Sequence, residues 1–236
     1  MPAPTEIQKP TLGGLLREAT REFSGFDRGL PYTVRSLLTA PGATVRRYLE
    51  GHDARITRPL RLFLATLVLY FAAASVGGVD EMNARGLEQS LAAFGVRGSD
   101  FTTFFSRYQT ALFALVLPLM MFATRASWPR AGRTLAEHLI LNTYLFAAQL
   151  VIMTALMPLR FMVEWAGVEA QTALSLHSVA GGVLSIGYAA WMMATFFAGS
   201  RLWSAIRAIA IQLGMMLVYW IVVLAVFLAL AKAGVG

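Results

Sequence analysis

Five stretches of the chain are apolar almost without interruption, and polar residues collect between them. They cover about 60–79, 105–124, 138–158, 176–198 and 206–229. A spanning helix needs roughly 20 mainly apolar residues to cross about 30 Å of hydrocarbon, so each stretch predicts a membrane span. The second contains Pro118, which predicts a kink. Upstream the pattern turns periodic. Leu12, Leu15, Leu16, Ala19, Phe23 and Phe26 recur at helical spacing, with Arg17, Glu18, Arg21 and Glu22 on other faces. A second short helix is expected after Pro31, with Val34, Leu37 and Leu38 apolar. A third is expected from Pro41, a favourable first-turn residue. It carries Val45, Tyr48 and Leu49 against Arg46 and Arg47, and Gly51 suits its C-terminal cap.

The expected organisation is a disordered N-terminus over 1–10, an amphipathic basic cytoplasmic or interfacial segment over 11–58, and a five-span bundle over 59–236. The fold class is all-α: a polytopic membrane protein, with five transmembrane helices preceded by short amphipathic cytoplasmic helices. Met1 to Pro10 has no apolar run, so no signal peptide is expected.

Composition agrees. Hydrophobic residues make up 57% of the 236 residues and charged residues 14%. Soluble domains carry about 45–50% and about 25%. The chain has no Cys, which excludes a disulfide scaffold and cysteine-ligated metal sites. The net charge of +7 is distributed unevenly. With a cytoplasmic N-terminus, fifteen Lys/Arg fall inside and five outside. The positive-inside rule therefore predicts N-terminus in and C-terminus out.

The basic residues beside the first span, Arg46, Arg47, Arg55, Arg58 and Arg61, are candidate contacts for anionic lipid headgroups. The competing reading is topology control, with the short helices docked on the inner side of the bundle. Nucleic acid is not expected as a partner, because the charge lies beside a span and no binding motif accompanies it. In span three, Glu137, His138, Asn142 and Gln149 fall along one side. They suit a helix–helix interface, or a polar path handling protons or cations. Glu137 also suits a helix cap paired with Arg130 or Arg133. Gly181/Ser185, Ser178/Gly182 and Ala190/Ala194/Ala198 give small residues four apart in span four, for packing within the chain or in a dimer. No nucleophile elbow and no phosphate loop occur. No metal and no cofactor is expected.

The sequence resembles a bacterial inner-membrane family, domain of unknown function 3667. The likeness is carried by Leu37-Leu38-Thr39-Ala40-Pro41-Gly42, then Tyr48-Leu49-Glu50-Gly51, Arg55, and Pro59-Leu60-Arg61-Leu62-Phe63. Glu137-His138-Leu139-Ile140 adds a second match. It is sharp over about 12–70. The resemblance marks Pro41, Gly42, Tyr48, Gly51, Pro59 and Arg61 as motif positions and implies the bacterial inner membrane. The leading expectation is a non-enzymatic membrane-organising or interaction module. Its basic N-terminal helices would engage anionic membrane lipids or a membrane protein partner, with self-association into a homo-oligomer as a further option. The alternative is a small oligomeric carrier or channel using the polar residues of span three.

Overall fold

The computed structural model describes residues 29–76, 104 and 115–232. The expected helix over 12–26, the disordered start, and the first half of the second span lie outside these residues. Helix is the only regular secondary structure among those described. Two short helices, α1 (Leu30–Thr39) and α2 (Pro41–Leu49), precede α3 (Pro59–Val76). After α4 (Leu115–Ser127) come a 3-10 turn (Pro129–Ala131), α5 (Leu135–Trp165), α6 (Ala170–Phe196) and α7 (Arg201–Lys232). Four of these, α3, α5, α6 and α7, are long and apolar enough to cross a membrane. α4 is the described, C-terminal part of the second apolar stretch and is shorter.

Two of the long helices, α5 and α7, exceed their expected bounds at both ends. α5 begins three residues before His138 because Thr134 caps it: the Thr134 hydroxyl accepts from the Glu137 amide, and the Glu137 carboxylate accepts from the Thr134 amide. This reciprocal pair satisfies two donors that a helix start otherwise leaves bare. α5 also runs through Pro158 to Trp165, so Phe161, Met162 and Trp165 extend the span rather than forming a separate turn. Its 31 residues reach about 46 Å, well beyond the hydrocarbon thickness. In apolar surroundings proline inside a long helix is tolerated where neighbours satisfy the freed carbonyl.

The short helices are docked, not loose. α1 and α2 pack on α5 and α6, which completely buries Leu37 and Val45. The core joins these two residues to Ile56, Leu62, Leu141, Leu145, Met192 and Phe196. Polar bonds fix the docking. The Tyr188 hydroxyl of α6 donates to the Leu37 carbonyl (3.1 Å), and the Tyr144 hydroxyl of α5 donates to the Thr57 carbonyl (2.6 Å). Of the two arrangements open to this segment, the one seen is docking on the bundle. Gly181 explains the close approach of α6 to α5: a Cβ there would strike the Met153 sulfur, whereas one at Gly182 would meet open space.

Candidate functional site

The turn from α1 to α2, the loop from α4 to α5, and the turn from α6 to α7 meet at one end of the bundle. They enclose a cleft of about 1160 Å³. Every ionisable side chain lining it is an arginine: Arg46, Arg130, Arg133, Arg201 and Arg207.

Three of the five are tied down. Arg46 donates to the carbonyls of Thr195 and, at 3.1 Å, of Phe196. It thereby satisfies the C-terminal end of α6, where the helix dipole favours a cation. Arg133 pairs with Glu137 at 2.8 Å and sits over the Phe196 ring. Arg207 donates to the Ser127 carbonyl (3.1 Å), tying α7 to the end of α4. Arg130 and Arg201 are exposed and make no hydrogen bond or ion pair among the described residues.

The cleft wall is aromatic. Trp128 stacks on Phe197 with centroids 4.3 Å apart and planes 8° from parallel, and His138 stacks on the same ring at 5.7 Å. Behind the wall, Thr124 joins two residues of α5. His138 Nδ1 lies 3.2 Å from its hydroxyl, and Asn142 Nδ2 donates to it at 2.9 Å. His138 is buried, and its Nε2 has no partner among the described residues.

The family-like motif residues supply Thr39, Ala40 and Pro41 to the cleft and otherwise shape α2 and its neighbours. Pro41 opens α2 and lines the cleft. Gly42 lies against the α6 backbone, where a Cβ would collide with the Thr195 carbonyl carbon and the Phe196 nitrogen. Tyr48 packs edge-on to Tyr144 at 5.4 Å. Gly51 ends α2 with φ +69°, a left-handed conformation that favours glycine. Pro59 begins α3.

Only Arg46 of the five arginines singled out for headgroups reaches the cleft. Arg47 and Arg55 turn to Asp53, at 3.8 and 3.1 Å. Arg61 is half-buried and Arg58 exposed. Asp53 had no signal of its own beyond being an acid among arginines. It also accepts from the Tyr32 hydroxyl at 2.6 Å, which ties the connector back to α1. The Arg55 guanidinium and the Tyr32 hydroxyl hold the Asp53 carboxyl well below the usual carboxylate range.

The polar residues of α5 divide among neighbours. Glu137 serves the cap and Arg133, His138 and Asn142 meet α4, and Gln149 donates to the Ser185 carbonyl of α6 (3.1 Å). No group of three or more metal-ligating side chains occurs among the described residues. Arg201 and Arg207 were legible only as loop charge, and Arg130 and Arg133 only as loop charge or as partners for the Glu137 cap, the role that Arg133 takes. The clue to their convergence was that both loops return to the same side of the membrane.

Residues 27–71 match the family model for a protein of unknown function, DUF3667. The matched segment contains α1, α2 and most of α3, so it includes the cleft-lining Pro41 and Arg46. Neither the curated proteins nor the solved structures yield a match to this chain.

Proposed function

We propose, starting from the DUF3667 match over residues 27–71, that this is a multi-pass protein of the bacterial inner membrane that engages anionic membrane components at its cytoplasmic face. The N-terminus is cytoplasmic and the C-terminus periplasmic. The protein acts as a membrane-organising or interaction module rather than as an enzyme. The observation that carries this reading is the cleft whose ionisable lining is entirely arginine. Arginine stays protonated throughout the physiological range. A cleft so lined attracts and orients anions and offers no group to shuttle a proton.

Two further features support it. Positive charge concentrates at this end, as expected for the side facing an anionic leaflet. Trp191, which lines the cleft, and Trp203 are both exposed there, as residues of an interfacial aromatic belt are. The N-terminal segment contributes by shaping the cleft, more than by laying its own arginines on the bilayer.

Native mass spectrometry of the protein released from a mixed membrane tests the reading. Retention of phosphatidylglycerol or cardiolipin over phosphatidylethanolamine is expected, weakening as salt is raised. Equal retention of all three lipids at low salt would overturn it.

A further inference from the structure

We infer that the cleft is a binding site for a phosphate monoester, and that Arg130 and Arg201 are the two guanidiniums that grasp it. This deepens the proposed engagement of anionic membrane components by naming the group that is held.

The argument begins with which charges are already spent. Arg46 faces helix carbonyls, Arg207 faces the Ser127 carbonyl, and Arg133 shares its charge with Glu137. Arg130 and Arg201 have donors free, and they stand on different elements, the 3-10 turn and the start of α7, that border the same space. A guanidinium presents a planar fork of donors that matches two oxygens of a phosphate at once. Two such forks with no carboxylate in the lining suit a dianion with several oxygens better than a monoanionic carboxylate.

The loops that carry them are held in place. Trp128 is stacked on Phe197, Arg125 donates to the Pro129 carbonyl (3.2 Å), and Gly132 closes the 3-10 turn with φ +66°. On the other side Gly199, at φ +119°, turns the chain between α6 and Arg201. Arg207 ties α7 to the end of α4 through the Ser127 carbonyl. Loops fixed in this way lose little freedom on binding, which favours affinity.

The cleft is much larger than one phosphate. Its volume accommodates a glycerol-phosphate headgroup, and exposed Trp191 and Ala194 offer an apolar flank for what is attached. The shared chemistry is therefore a phosphate monoester, supplied either by a lipid headgroup or by a soluble phosphate compound.

The test uses the full chain in a nonionic detergent, titrated with dihexanoyl phosphatidic acid, inorganic phosphate and dihexanoyl phosphatidylcholine. Phosphatidic acid is expected to bind, and the zwitterionic lipid is not. Loss of charged hydrogen bonds in Arg130→Ala with Arg201→Ala is expected to weaken phosphatidic acid binding about tenfold or more. Arg130→Ala alone is expected to weaken binding several-fold, whereas Arg35→Ala, which removes the same unit of charge from an exposed position outside the cleft, is expected to leave it within about twofold. A thermal melt of each variant accompanies the titration, and Arg130→Lys with Arg201→Lys is expected to recover part of the affinity.

Competition by inorganic phosphate at similar concentration would assign the site to soluble phosphate compounds. Binding that requires the acyl chains would assign it to a lipid. Unchanged phosphatidic acid affinity in the double alanine variant, with anionic lipids still preferred, would overturn the cleft assignment and leave the broader reading standing. Equal binding of phosphatidylcholine would overturn both.

Discussion

At Gly42 the α2 backbone comes so close to α6 that even a methyl group has no place. The two nearest atoms are main chain, so they cannot swing aside as a side-chain tip can. Overpacking of this kind typically costs about 1–3 kcal/mol. Gly42→Ala is expected to lower the melting temperature in detergent and to weaken anion binding, because the Arg46 bonds lie beside the clash. Gly182→Ala meets open space and serves as the contrast, with a melt close to the native protein. Asp53 leads to a prediction about acid. Its folded pKa is depressed, so the stability it contributes is present above its unfolded value of about 3.9 and is lost as pH falls further toward the folded value. Unfolding midpoints measured from pH 6 to pH 3 are expected to drop below about pH 4. Asp53→Asn is expected to be less stable than the native protein at pH 6 and to flatten that drop. Gly51 was recognisable as a cap from sequence because a left-handed position has a residue signature. Gly42 looked the same in sequence, but its cause is a helix some 150 residues away, which no local pattern reports.

Among the elements, α5 is the one on which the bundle is organised. It meets α1, α2, α3, α4 and α6 through one continuous helix. Its polar residues read from sequence as either an interface or a path, and the contacts made are those of an interface. Asn142→Leu is expected to lose the bond to Thr124 at a cost of about 1 kcal/mol, in the range of hydrogen bonds between membrane helices. Differential unfolding with Thr124→Val checks this, since the double variant should cost less than the two singles added. Thr134→Ala removes the cap of α5 and is expected to cost about 1 kcal/mol. The spans were legible because long apolar runs have no other stable use in lipid. Their ends were not, because a capping box and an accommodated proline extend α5 past the hydropathic window.

For the whole molecule, α5 separates two loops that must lie on opposite sides of a membrane. The chain contains no Cys, so single cysteines report cleanly. In intact cells a membrane-impermeant maleimide is expected to label Ala166→Cys and to spare Ala131→Cys until the membrane is opened. The reverse pattern would overturn the proposed orientation. The cleft itself was hidden in sequence because its walls come from three separate turns, each of which reads alone as an ordinary basic connection. The docking of α1 and α2 also sets an order in time. Their partners on α6, Tyr188 and the Thr195–Phe196 carbonyls, are made about 150 residues later. At roughly 5–20 residues per second of synthesis, the segment waits about 8–30 seconds for its packing surface. The part of the chain made early is thus among the last to reach its final place, and a ribosome stalled before residue 188 would hold a bundle whose arginine cleft has not yet been closed.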